Sequence, residues 1–180
     1  IRDFAFDGNN QGGQTRMFFG GAKYSTARSI AILNCGGRGN SNSSGGLAWW
    51  NGNPPALGYN RIINCYAENT AHVSLSCQKI SHHNMIRGCV VKDPNQSGSF
   101  THPMSIESNR HSMMTNNIVI GRGNPALNAN LVEHSVVSNN TIEGAVKGIN
   151  CANGGGIKMS LITNNTISDT EGFGILVQDT

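Results

Sequence analysis

Charge is scarce in this chain. Asp, Glu, Lys and Arg make up only 13% of its 180 residues, and the formal net charge is +3. Solubility therefore falls to amides and hydroxyls, and a pI near 8.7 permits an acidic partner without demanding one. No apolar run approaches the ~18 residues that a membrane span requires, so no membrane partner is expected. Paired cysteines are missing too. The five thiols (Cys35, Cys65, Cys77, Cys89 and Cys151) are odd in number and contain no CxxC spacing, which argues against a disulfide framework and a structural zinc site. The six His form neither an HxH nor an HExxH pattern. Neither a metal nor a cofactor is expected from these residues. Ile1 is not a start methionine and no basic segment leads into an apolar one, so the chain reads as a piece of a longer protein.

Glycine and asparagine are abundant instead, at 23 and 24 residues, about a quarter of the chain. Neither favours a helix interior, because Gly loses backbone entropy and Asn competes for backbone hydrogen bonds. Helical bundles and coiled coils are excluded. Disorder is excluded as well, since Val, Ile, Leu, Met and Phe recur at intervals and net charge is low.

Self-comparison explains the recurrence. Met113-Met114-Thr115-Asn116-Asn117-Ile118-Val119, Val136-Val137-Ser138-Asn139-Asn140-Thr141-Ile142 and Leu161-Ile162-Thr163-Asn164-Asn165-Thr166-Ile167 align without gaps. Looser copies are Ile32-Leu33-Asn34-Cys35, Ile62-Ile63-Asn64-Cys65 and Met85-Ile86-Arg87-Gly88-Cys89. With the last Asn or Cys as register mark, the copies fall at 35, 65, 89, 117, 140 and 165. Each continues into a second short strand, often opened by Gly, as at Gly148-Ile149-Asn150-Cys151 and Gly174-Ile175-Leu176-Val177. Strands this short bury nothing alone; stacked copies share a core.

A period near 25 with this content resembles the right-handed parallel β-helix of the pectate-lyase-like superfamily, over nearly the whole of 1–180. The resemblance implies an all-β, single-stranded β-helix of about seven coils, each of three strands, in one domain that is a segment of a longer helix. The marked column should point inward as an Asn/Cys ladder: Asn117, Asn140 and Asn165, continued by Cys35, Cys65 and Cys89 as buried thiols. Leucine-rich repeats share the period but need regularly spaced Leu and a helical half, and neither is present. Of the four N-x-S/T sequons, those at Asn139 and Asn164 are better explained by the ladder.

Chemistry on such a rod belongs on the outward side of the first strand. Parity places Trp50, His72, Ser74, Ser76, Ser105, Glu107, Asn128, Asn130 and Asn150 there, with one column reading Trp50, Ser76, Glu107, Asn130. Trp50 and Glu107 are expected two coils apart, roughly 10 Å. Trp50 is a candidate platform for a sugar ring, the Ser, Asn and His72 side chains candidate substrate contacts. Glu107 is the one carboxylate on this face and the first candidate for acid–base work. Arg110 follows it in the next loop, while Asp93 and His102 border it on the Lys92–His102 loop; Asp93 with Glu107 would make a paired-carboxylate site. Against this, Asp93-Pro94-Asn95 also reads as a turn, and Glu107 as a surface partner of Arg110.

The family's catalytic signatures are not found. There is no Asp cluster for Ca²⁺, no Arg-x-Pro-x-x-Arg element and no Asp-Asp pair, and Gly156-Ile157-Lys158 only echoes the Arg-Ile-Lys motif. The resemblance therefore implies a polysaccharide lyase or glycoside hydrolase acting on an extended, acidic or neutral glycan, as in phage tail-spike depolymerases. The alternatives are a glycan-binding or structural shaft without chemistry, and a uronate epimerase. It further implies an extracellular or virion-surface location and a homotrimer, with no nucleic-acid partner.

Overall fold

The computed structural model describes residues 1–8, 16–19, 23–35, 46–50, 57–70, 73–94, 102–151 and 157–178. The corners of the coil follow directly from where Asn, Asp and Gly stand. Asn64, Gly88, Asn116, Asn139 and Asn164 all adopt left-handed backbone (φ 51 to 64°) at equivalent positions of successive repeats. Asn and Gly are the residues that enter this region at least cost. Each such residue turns the chain, and the residue after it is driven inward. The Asn-Asn pair thus divides its labour: the first Asn makes the corner, the second enters the core.

Between corners the strands are two to five residues long and every pairing is parallel. The third face of the coil stacks Arg61–Ile63, Met85–Arg87, Met113–Thr115, Val136–Ser138 and Leu161–Thr163. The fourth stacks Tyr66–Glu68, Val90–Lys92, Ile118–Ile120, Thr141–Glu143 and Thr166–Ser168. Thr26–Leu33 spans both, so the two faces form one sheet folded at the Asn corner. The other sheet is folded likewise. Its first face carries Arg16–Phe19, Gly46–Trp50, Leu127–Asn128, Ile149–Cys151 and Ile175–Val177, and its second carries Leu57–Gly58, Val132–Glu133 and Ile157–Lys158. Leu75–His82 and Met104–Arg110 run through both, bending where the register shifts between Glu107 and Asn109. A complete coil therefore has four short segments rather than three. The described solenoid makes about five full turns rather than seven, because the end rungs contribute strands without completing a coil.

One inward position per segment of the third and fourth faces, and two per segment of the first, fill the core. Ile62, Ile86, Met114, Val137 and Ile142 are almost fully buried, as are Leu75, Met104, Leu127 and Ile149 from the opposite sheet. Burial of a side chain of this size contributes ~1.5–3 kcal/mol each, repeated rung after rung.

Three corners carry hydrogen-bonded columns along the axis. At the first, Asn117 and Asn140 each donate from backbone N and side-chain Nδ2 to the Oδ1 of the next Asn, at 2.9–3.0 Å. Their amides also reach Ile86 O (3.1 Å) and Met114 O (2.9 Å). The column continues upward through Cys89, whose backbone N donates to Asn117 Oδ1, and Cys65, whose N donates to Cys89 Sγ at 3.4 Å. This is the expected Asn/Cys ladder, with one correction. Cys35 is buried at the next corner, after Asn34, and Ile30 holds the place beside Cys65. The Asn-Cys dipeptide recurs at both corners, so motif alone did not separate them.

A second inward column was not anticipated. Backbone N–H groups of Ser25, Asn60, Asn84, Ser112 and Ser135 donate in turn to the side-chain oxygens of Asn60, Asn84, Ser112, Ser135 and Ser160, at 3.0–3.1 Å. At the third corner, Asn69 Nδ2 donates to Asn34 Oδ1 (2.8 Å), and Asn34 Nδ2 to Asp7 Oδ1 (3.2 Å). Polar atoms at all three corners thereby bond to the neighbouring coil; at the first two corners, which are buried, this is the condition for keeping them inside, while the third column lies at the surface.

Candidate functional site

The first face has the parity expected of it. Leu75, Cys77, Met104, Ile106, Leu127, Ala129, Ile149 and Cys151 point into the core, so the alternate residues leave from the other side of the sheet. The register sorts them into two columns. Ala48, Ser76, Ser105, Asn128 and Asn150 lie side by side on successive rungs, and Trp50, Gln78 and Glu107 form a second line two residues along. The expected column of Trp50, Ser76, Glu107 and Asn130 is thus split, because Ser76 is opposite Ser105. Trp50 and Glu107 do stand two rungs apart.

The expectation that the Ser and Asn side chains lie open to solvent is corrected. Exposure runs from 0% at Ser74 and Ser105 through 1% at Ser76 and Asn128 and 4% at Asn130 to 6% at Asn150. They bond one another: Asn128 Nδ2 donates to Ser105 Oγ (3.3 Å), and Asn150 Nδ2 to both Asn128 Oδ1 (3.3 Å) and Asn130 Oδ1 (3.1 Å). Ser74 shares a short hydrogen bond with Thr70. Parity says which side a residue leaves by, not what covers that side. His72 lies outside the described residues, and for Trp50 the backbone alone is described.

Glu107 is half-buried at the point where its strand bends; Ser108 takes left-handed backbone (φ 54°) and donates its N–H to Asn130 O at 3.0 Å. The bend is braced by Asn109, fully buried, whose Nδ2 donates to Glu107 O (2.7 Å) and Cys77 O (2.9 Å). Glu107 is therefore held on a fixed backbone. Arg110 does not pair with it: the guanidinium Nε is 2.9 Å from Glu133 on the next rung. This pair is largely exposed, contributing about 0–1 kcal/mol. Asp93 makes the corner after the fourth face, with φ 43° and its carboxylate 3.8 Å from Lys92 Nζ. It is a turn residue on another part of the coil from Glu107. His102 is half-buried two residues before the Met104–Arg110 strand. So the backbone positions of Trp50, Gln78 and Glu107 stand in line on the first face, and the two proposed charged neighbours of Glu107 are engaged elsewhere.

On the fourth face Tyr66 donates to Glu68 Oε2 at 2.6 Å, and Lys92 Nζ lies 3.5 Å from Glu68 Oε1. The hydrogen bond to a carboxylate pushes the Tyr66 phenol up to about 12 and holds Glu68 below the usual carboxylate range. A phenol so anchored is a poor base.

The thiols are not chemical candidates. All five are free and buried, and burial pushes Cys77 and Cys151 up to about 12. For Cys89, the hydrogen bond with Cys65 and then burial push upward. The same hydrogen bond acts in the opposite direction on Cys65, lowering it to about 7 against the effect of burial. Thiolate is the reactive form; Cys77, Cys89 and Cys151 are held as thiol, and Cys65 is closed in at 2% exposure.

The corner between the second and third faces carries what the sequence reading missed. Tyr24, Tyr59, His83, His111 and His134 stack ring on ring, with centroids 4.8, 4.7, 5.0 and 5.0 Å apart and planes within 24°. All five are exposed and adopt left-handed backbone (φ 48 to 60°). Each immediately precedes a member of the Ser/Asn column. The signal was in the spacing: 59, 83, 111 and 134 repeat with the same intervals as 65, 89, 117 and 140. Among the described residues no group of three or more His, Cys, Asp or Glu is arranged to hold a metal ion.

Comparison with family models, with curated proteins and with solved structures finds no match for this chain. What is established is the class: an all-β parallel solenoid with internal amide ladders.

Proposed function

We propose that the chain is a carbohydrate-directed β-solenoid that takes an extended polysaccharide lengthwise along its first face, with Glu107 as the general acid or base of a cleavage reaction. The observation that carries this reading is the alignment of Trp50, Gln78 and Glu107 on three successive rungs. An aromatic, an amide and a carboxylate at ~4.8 Å steps suit an aligned sugar chain. The resemblance to polysaccharide-acting β-helices, phage tail spikes among them, adds an extracellular or virion-surface setting and a trimer to the same proposal.

A second reading is a stem that holds glycan without cutting it. It is supported by the engagement of Arg110 with Glu133 and of Asp93 with Lys92, the two charged groups the cleavage reading would place beside Glu107. Incubation with a panel of neutral and acidic polysaccharides distinguishes the two. Cleavage is expected as reducing ends, with unsaturated-uronate absorbance appearing only if the reaction is an elimination. Glu107→Gln is expected to lower turnover at least ~100-fold while binding is retained. Retained binding with no product from the native chain establishes the stem reading; full activity in the variant removes Glu107 from the mechanism.

A further inference from the structure

Outward charge is divided unevenly around the coil. On the third face Arg28, Arg61 and Arg87 stand on three successive rungs; Arg61 lies beside Thr26, while Arg28 and Arg87 flank Ile63 in the adjoining column. Ala27, Ile62 and Ile86 are fully buried, so the arginines leave from the outer side, and all three are exposed. Among the described residues no carboxylate pairs with any of them.

The corner leading into this face carries the imidazoles. His83 shares a rung with Arg87, and His111 and His134 extend the line over the next two. His82 Nδ1 is 2.9 Å from His83 Nδ1 and Tyr59 stacks on His83; burial, and then the charges of His83, Lys23 and His111, hold His82 below its ordinary value. Arg110 Nε is 2.9 Å from Glu133, which is 3.7 Å from His134 Nε2 and opposite Lys158 in register. Glu133 is the one carboxylate facing the stack among the described residues, and it is already paired. Imidazole gains positive charge on acidification, so three rungs of permanent cations are continued by two of inducible ones.

We propose that the third face and its leading corner form a lengthwise binding strip for an acidic polysaccharide, separate from the first face and independent of any cleavage there, and that its grip tightens on acidification. Guanidinium forks match carboxylate and sulfate groups, and one cation per ~4.8 Å rung is close to one per sugar residue of an extended chain. Single-stranded nucleic acid fits less well, because its bases need free aromatic faces and here each inner ring has both faces covered by its neighbours.

The test is binding of polygalacturonate and of dextran sulfate, with uncharged dextran and an oligothymidylate as comparisons, at about pH 5.5 and about pH 7.5 in low salt. Both acidic glycans are expected to bind, several-fold tighter at the lower pH, and dextran not at all. The triple variant Arg28→Gln, Arg61→Gln, Arg87→Gln is expected to lose about tenfold in affinity at both pH values, with its melting temperature as the check on folding. Arg61→Glu alone serves if the triple variant does not fold. His83→Phe, His111→Phe and His134→Phe together keep a stack of rings and are expected to abolish the pH dependence. The strip is overturned if neither acidic glycan binds, if the arginine variants bind as the native chain does, or if the oligothymidylate binds more tightly. Equal affinity at both pH values overturns the acidification half. None of these outcomes depends on whether Glu107 is catalytic.

Discussion

Asparagine serves in two distinct ways within a single dipeptide. Asn140 accepts the backbone and side-chain N–H of Asn117 and donates to Asn165 Oδ1 and Met114 O. Asn139, one residue earlier, is exposed and only shapes the corner (φ 54°). Replacing Asn140 by Ala leaves two buried donors of Asn117 without their acceptor, at ~1–3 kcal/mol each. We therefore expect Asn140→Ala to lower unfolding free energy by about 3 kcal/mol or more in denaturant titration. Asn139→Ala should cost about 1 kcal/mol for the left-handed backbone, and Asn139→Gly close to none. Equal losses at the two positions would contradict the division of roles. The inward Asn was legible because it recurs three times in one alignable string. The corner role of its neighbour was not, since a backbone dihedral leaves no trace in apolar periodicity.

At the scale of the strand, what decides tolerance is how closely the next rung passes. Gly148 and Gly174 each open a strand of the first face, and in sequence they are equivalent. Gly148 donates to Phe173 O at 3.0 Å and Ile149 N to Gly174 O at 2.8 Å, so the following rung passes directly over Gly148. A Cβ added there would run into the Gly174 carbonyl, whereas one added at Gly174 meets nothing within 4 Å. Gly148→Ala should therefore lose about 2 kcal/mol or more, through overpacking against backbone that has no rotamer to yield. Gly174→Ala should stay within about 0.5 kcal/mol of the native chain, both read as shifts in the denaturant midpoint. The same scale explains the mixed success with the candidate site. Alternation assigned Ser76, Ser105, Asn128 and Asn150 to the outer side of the sheet, as found. It could not register their column against Trp50 and Glu107, because strand pairing between rungs depends on loop lengths that vary from coil to coil. Nor could it show that their amides and hydroxyls close upon one another.

Over the whole molecule the solenoid is a one-dimensional stack, and this governs how it should respond to loss of a unit. Each rung touches the one above and the one below, so stability approximates a sum of coil and interface contributions. The interval from Asn117 to Asn140 is 23 residues and spans one full turn. Deleting residues 117–139 joins Asn116 to Asn140, restoring an Asn-Asn corner at the junction. Cys89 N would then donate to Asn140 Oδ1 in place of Asn117, and Ser105 would face Asn150 in place of Asn128. His111 would stack toward Met159 instead of His134, and Arg110 would face Lys158 instead of Glu133, so the ring column and that ion pair would both be broken. A shortened chain that still folds is expected, with β-type circular dichroism and a single unfolding transition whose m-value falls roughly in proportion to the surface lost. A deletion of the same length shifted by twelve residues, 105–127, is a control of a different kind. It removes one turn as well, joining Met104 to Asn128, but places an Asn in the position of Ser105 and sets Ala129 in the core position of Ile106. Because both deletions preserve the period, both should fold, the second less stably by the difference between burying Ile and Ala, about 2–5 kcal/mol. A deletion of half a turn should not fold at all, since it would send the corner asparagines into strands and the core residues to the surface. If that half-turn deletion were as stable as either full-turn one, the ladders would not be what holds the coils in register.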